Sequence, residues 1–261
     1  MRHPASALAY LPLLALAPFA GAPHVASAQQ ADSRPEIPGR EQTTRLKILE
    51  FAADVVQTDS PVAGIGVYLV GFHPMKHDPM HQMEAHHFCN QLNQDFMQCV
   101  LFDDKGDRAR MTGVEYIVSE KLFEELPEQE KKYWHPHNYE ILSGQLVAPG
   151  VPDVAEDEFM KQKMNSYGKT WHFWSAGHGV EKQDPLPFGE PMLAWSFNAD
   201  GEAREELAED RDRRMGVDGG EKRARRQHLV PLAHPQEGVD ALEGTFPGPT
   251  STPPGVAAKG R

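Results

Sequence analysis

Cysteine is scarce in this 261-residue chain, which has two, Cys89 and Cys99. One pair excludes the dense disulfide framework that holds small, core-poor secreted domains together. Beyond residue 28 no run reaches the roughly 18 consecutive apolar residues of a membrane-spanning helix. Positive charge is in deficit too: 26 Lys and Arg face 38 Asp and Glu, a formal net charge of −12. That balance argues against a nucleic-acid partner, which needs a basic face. There is no Gly-x-Ser-x-Gly elbow. Gly64, Gly66 and Gly71 are not followed by the Gly-Lys-Ser/Thr of a phosphate loop. Neither His-Glu-x-x-His nor Cys-x-x-Cys occurs, so no strong metal signature is present.

What is present begins with a secretory pattern. Arg2 precedes the apolar “ALAYLPLLALAPFAGA”, and Ala26, Ser27 and Ala28 offer a small-residue cleavage site before Gln29. Pro12 and Pro18 make the run a poor anchor, and no cysteine nearby marks a lipoprotein. The expectation is an exported protein, periplasmic or secreted, with residues 1–28 as signal peptide and 29–42 as linker. From residue 201 the text is charged and mixed in sign, then rich in Pro, Gly, Ser and Thr, with Phe246 as its only aromatic residue. Such a segment has little apolar area to offset its ordering entropy, so 201–261 is expected to be a disordered tail. Its “KRARR” at Lys222–Arg226 could meet an anionic surface, but interspersed acidic residues favour simple solvation.

Residues 43–200 remain as one domain, long enough for a single core. “TTRLKILEFAADVVQ” predicts an amphipathic helix capped by Thr43 or Thr44. “VAGIGVYLVGFH” predicts a buried strand, and “PMKHDPMHQ” a loop. “HQMEAHHFCNQLNQDF” is taken as helical, with Ala85, Phe88, Leu92 and Phe96 as its core face. “MQCVLFDDKGDRARMTGVEYIVS” predicts a hairpin turning at “DDKGD”. “KLFEELPEQEKKYW” predicts two short helices broken near Pro127. “HPHNYEILSGQLVAPGVP” reads as extended with a turn at Ser143–Gly144. “DVAEDEFMKQKMNSYG” reads as a helix capped by Asp153 and ended by Gly168. “KTWHFWSA” and “PMLAWSFN” read as strands. Strands and helices mix without βαβ alternation, so the fold class is α+β: a single domain, a mostly antiparallel sheet and a few flanking helices.

Histidine is abundant, at thirteen, with five between His73 and His87. His73, His77 and His81 are spaced by four, but Pro74 and Pro79 interrupt that alignment and favour solvated loop histidines. On a helix, Glu84 and His87 would share one side, and His86, Cys89 and Asn90 another. In “WHPHNYE” an extended backbone sends His135, His137 and Tyr139 to one side. Two imidazoles so placed, with a third ligand from His86, His87 or Glu84, could hold one divalent metal, zinc, iron or manganese, and leave a position open. The bland alternative is a satisfied polar network of these histidines with Glu115. Cys89 lies one helical turn from His86, but no oxyanion-hole motif accompanies it, so an inert buried thiol is favoured over a nucleophile. The two cysteines could also pair; spacing alone leaves that open. The runs “YW” and “TWHFW” suit a ligand pocket or, more ordinarily, a core.

“MEAHHFCNQLNQDFMQCVLFD”, “GVEYIVSEKLFEELPEQEKKYWHPHNYEILSGQLVAPGVP”, “YGKTWHFW” and “DPLPFGEPML” resemble the oil body-associated protein family, also called the DUF1264 domain. The resemblance spans Val62 to Asp200, nearly the whole proposed domain. It implies no established reaction, catalytic residue or cofactor. Plant members associate with lipid bodies and work in the cytoplasm, and they carry cysteines matching Cys89 and Cys99. The resemblance thus implies that the pair is not there mainly as a disulfide. No long apolar hairpin is present here, so lipid contact would be peripheral, through an exposed apolar patch or pocket. Two functions are expected from this sequence. One is binding of a lipid or small apolar ligand; the alternative is a metal-dependent, hydrolase-like enzyme using the His-rich site.

Overall fold

The computed structural model describes residues 35–57 and 60–260. The expected signal segment, 1–28, and the start of the linker lie outside the described residues. The fold is α+β, as expected, and is organised by one antiparallel sheet of seven strands. These are β1 (Val67–Met75), β2 (Asp78–Asn93), β3 (Phe96–Phe102), β4 (Met111–Val118), β5 (His135–Pro136), β6 (Tyr167–His172) and β7 (Met192–Leu193). Their order is β1-β2-β3-β4-β6-β5, and β7 also pairs with β6. Helix α1 (Thr44–Val56) precedes the sheet, while α2 (Glu120–Glu124), α3 (Glu128–Lys131), α4 (Asn138–Leu142) and α5 (Asp153–Lys163) lie between β4 and β6.

Most elements follow their local chemistry. The β-branched and aromatic β1 is a buried strand. β3 and β4 form the expected hairpin. Thr43 caps α1, its Oγ1 accepting from the Leu46 amide at 3.2 Å. The cap residue of α5 is Pro152 rather than Asp153, and the helix stops at Met164, before Asn165 turns with φ 66°. Gly168 sits instead within β6. Residues 138–142, expected to be extended, form α4.

The main local correction is “HQMEAHHFCNQLNQDF”, which is strand, not helix. It lies in the 16-residue β2, joined to β1 by a tight turn at Lys76 and His77 where a loop was expected. Both faces of β2 are covered, and every residue from Met83 to His87 is buried. A strand buried on both faces shows no polar–apolar alternation, so its period is invisible in the text. Cys89 and Cys99 stand directly opposite across β2 and β3 and are joined by a disulfide, in contrast to the role that the resemblance implied. That pairing also rules out Cys89 as a free nucleophile.

The sheet curls until its ends meet. Met192 and Leu193 pair with β6, and the next residues reach β1. There the Trp195 amide donates to Pro74 O at 2.8 Å, and the Lys76 amide to Leu193 O at 2.8 Å. Inside the curl lie Cys89, Met97, Cys99, Leu101 and Ile117, next to a polar cluster described below.

Residues 201–260, expected to be disordered, are folded against this sheet. They form α6 (Glu205–Met215), α7 (Gly219–Arg225) and a 3-10 helix at Arg226–Leu232. Leu207, Leu229, Leu242, Phe246 and Val256 enter the main core cluster with Leu69, Phe72, Ile141 and Phe197. Arg226 is fully buried and donates from Nη1 to Ile141 O (2.9 Å) and Leu146 O (2.8 Å). Arg211, also buried, donates to Gln145 O at 2.6 Å. The segment has too few apolar residues to build a core, but enough to complete one that the sheet supplies. The basic run Lys222–Arg226 is engaged within the chain: Lys222 meets Asp153, Arg223 meets Asp200, and Arg225 meets Asp157.

Candidate metal centre

Residues directly opposite in an antiparallel pair share a face of the sheet, and faces alternate along each strand. The register therefore traces one inner face. Leu69 opposes His87, His87 opposes Leu101, Leu101 opposes Gly113, and Gly113 opposes His172. In the adjacent row Cys89 opposes Cys99, Cys99 opposes Glu115, and Glu115 opposes Thr170. His135 opposes Gly168, which in turn opposes Ile117. His73, four residues along β1 from Leu69, points the same way. The curl thus gathers His73, His87, Glu115, His135 and His172 from five strands. His137, two residues after His135, and Glu140 of α4 complete the group. All seven are buried, at 0–4% exposure, so none can be discharged by solvent.

Glu115 is the hub. Its Oε2 lies 2.8 Å from His87 Nε2 and 4.0 Å from His73 Nε2. Its Oε1 lies 3.3 Å from His137 Nε2 and 3.6 Å from His135 Nε2. Two rings are fixed from behind. His87 Nδ1–H donates to Ala85 O at 3.1 Å, since a carbonyl only accepts. Ser166 gives its hydroxyl proton to Lys163 O at 2.6 Å, so it accepts from His137 Nδ1–H at 2.8 Å. His73 Nδ1 meets His172 Nε2 at 3.0 Å. Ser166 is itself braced by Gln236, whose Nε2 donates to Ser166 O at 3.0 Å while its Oε1 accepts from the Asn138 amide at 3.0 Å. Neither ring nitrogen of His135 has a hydrogen-bond partner among the described residues, nor does Glu140 Oε1.

Glycine makes the cluster this compact. A Cβ at Gly168 would stand 2.7 Å from Nε2 of both His135 and His137, and closer still to Glu115 Oε1. Burial would raise the Glu115 carboxyl, but hydrogen bonds from His137 and His87 reverse this and hold it well below the usual carboxylate range. Burial, then the charge of His137, pushes His135 down to about 3. Burial, then His87, does the same to His172. Burial likewise drives His73 well down and pushes Glu140 well up, with Glu115 adding to the latter. Neutral His73, His135 and His172 beside an ionised Glu115 are in the protonation states that bind metal. Three sets of ligand atoms lie within 4.8 Å of one another: His73, His87 and Glu115; Glu115, His135 and His137; and His73, His135 and Glu140.

Of the residues expected at a metal site, His87, His135 and His137 come together here. Glu84 and His86 lie on the opposite face of β2. There His86 Nε2 donates to Glu84 Oε1 at 3.0 Å, His86 Nδ1 meets Tyr68 Oη at 2.7 Å, and Arg214 pairs with Glu84. Glu115, named earlier only for a polar network, proves central. His73 was expected to be a solvated loop histidine but is buried in β1 at 1% exposure; His172 and Glu140 were not singled out as ligands, since nothing in their spacing announces a shared face until the register is known.

These features define a class: an α+β protein whose curled antiparallel sheet encloses an imidazole–carboxylate centre. The chain belongs to the family described as “Protein of unknown function (DUF1264)”, whose model matches residues 59–230. It is 39% identical over 207 residues to oil body-associated protein 1A of Zea mays, covering 79% of this chain and 84% of that one. It is 37% identical over 210 residues to oil body-associated protein 1B of Arabidopsis thaliana, covering 80% and 84%. It is 38% identical over 208 residues to oil body-associated protein 2B of Zea mays, covering 78% and 82%. No solved structure gives a significant match.

Proposed function

We propose that this protein binds a divalent transition metal, zinc, iron or manganese, through His87, His135, His137, Glu115 and His73. The observation that carries this is the aim of the imidazoles. His87 and His137 commit Nδ1–H outward, which turns Nε2 toward Glu115, the arrangement that orients histidine ligands in metal sites. Ligands of one ion at about 2.0–2.1 Å lie roughly 3 Å apart, close to the 2.8–4.0 Å spacings around Glu115. A purely structural network fits less well. It would leave the buried His135 unsatisfied at about 1–3 kcal/mol per polar group. A hydrolase needs substrate at an open coordination position. A cleft of about 490 Å³ is lined by Lys76, Trp134 and Trp195, and the Trp195 ring stands 6.0 Å from that of His135. The proposal is metal binding, and it names no reaction. The test is metal content by mass spectrometry on protein purified without an affinity tag or chelator. Near-stoichiometric metal that disappears in the His135→Ala, His137→Ala double variant supports it. A chain that stays metal-free after reconstitution refutes it.

A second reading concerns lipid. The relatives are named for oil bodies, and α1 presents Ile48 at 62% and Phe51 at 70% exposure, with Leu49 beside them. Among the described residues no helix is long and apolar enough to cross a membrane, so contact would be peripheral. Co-flotation with phospholipid-coated triacylglycerol droplets, lost in Ile48→Asp, Phe51→Asp, checks it; equal flotation of the variant refutes it. Export rests on the pattern of residues 1–28, and a mature chain beginning at Gln29 would support it.

A further inference from the structure

We propose that the centre is built for two metal ions, with Glu115 as the carboxylate bridge between them. The inference rests on the metal-binding proposal and goes beyond it in number and arrangement. Glu115 presents its two oxygens to two different pairs of rings. Oε2 faces His87 Nε2 and His73 Nε2, at 2.8 and 4.0 Å. Oε1 faces His137 Nε2 and His135 Nε2, at 3.3 and 3.6 Å. Each half is a complete facial set of two imidazoles and one carboxylate oxygen, with its ligand atoms within 4.8 Å of one another. A carboxylate shared in this way holds two ions about 3.5–4 Å apart.

Three further features fit two ions better than one. Each half has its own orienting partners, namely Ala85 O and His172 for one and Ser166 for the other. Glu140 belongs to the third set, with His73 from one half and His135 from the other. Its carboxyl thus stands beside a ring of each half, and on losing its proton it would add a ligand between them. The ionised Glu115 and five imidazoles, with no buried Lys or Arg among them, also leave room for more than one positive centre. A single ion at Glu115 would leave one pair of rings without a cation.

The experiment counts ions on the full chain. Metal-free protein is titrated with Co(II) alone, and the occupied forms are counted by native mass spectrometry. The expected result is two ions per chain for the wild type. His87→Asn and His137→Asn, which each disable one half, are expected to retain one. Saturation of the wild type at one ion overturns the two-ion arrangement while leaving metal binding in place. No retained ion at all overturns the metal-binding proposal itself. The wild-type count decides between these without any variant, so a misfolded variant does not blur the outcome.

Discussion

Gly168→Ala is the sharpest perturbation of the centre that adds no charge. The added Cβ would stand 2.7 Å from Nε2 of His135 and of His137, where ordinary contact begins near 3.4 Å. Glu115 Oε1 would be nearer still. Three buried polar atoms must therefore retreat by more than half an ångström. The backbone has little freedom to yield, because Gly168 is paired on both sides, with Ile117 of β4 and His135 of β5. Overpacking of this kind costs about 1–3 kcal/mol. Displaced ligands should also lower metal affinity by about 10–100-fold, the range seen when the support of ligands is disturbed. The assays are urea unfolding of the metal-free protein and a competition titration with a chromogenic chelator. Gly66→Ala is the control, since its added methyl meets nothing within 4 Å. If Gly168→Ala unfolds at the wild-type midpoint and binds metal as tightly, the geometry assigned to the cluster is wrong.

Other expectations follow from neighbouring features. Replacing Cys89 and Cys99 with Ala opens a cross-link between residues ten apart. Loop-closure entropy puts that loss at about 2–3 kcal/mol; an unchanged urea midpoint for the double variant would sink the assignment of a stabilising role. Arg214→Ala leaves Glu84, 1% exposed, without its guanidinium partner, and should cost about 3 kcal/mol. An equally stable variant would show that His86 alone satisfies Glu84. Burial, then Lys132, pushes the Lys76 amine down from 10.5 to about 8, with its Nζ 3.6 Å over the Trp195 ring. Between those two values the unfolded chain holds a proton that the folded chain lacks, so this group's contribution to stability rises with pH there. In Lys76→Met that portion of the rise should vanish from unfolding curves measured between pH 8 and 10, and a curve superimposable on the wild type would contradict it.

The parts of the fold that were legible in the text are those where burial is one-sided or punctuation is strong. Thr43 before α1, Pro127 between α2 and α3, and “DDKGD” between β3 and β4 each act through local chemistry. β2 was illegible because both of its faces are covered, so Glu84 and His86 are buried as thoroughly as Met83 and His87. Taking it as helix grouped Glu84 with His87; strand geometry groups Glu84 with His86. At the centre, “HPH” was visible because two-residue spacing has meaning on any extended backbone. Glu115 and His172 were not assigned as ligands, since their neighbourhood depends on the pairing of β4 with β6. The terminal segment was misjudged because composition measures what a segment can bury in itself, not the surface it finds elsewhere.

Gln236 supports the ring of His137 through Ser166, and its own backbone is held by Ala257 O and the Lys259 amide. The far end of the chain thus braces residues that leave the ribosome much earlier. At about 5–20 residues per second, roughly ten seconds or more separate the synthesis of His73 from that of Lys259. A nascent chain therefore carries its histidines for that time without the brace. On the proposed metal binding, a fully braced site would exist only once the C-terminal segment has been made and folded.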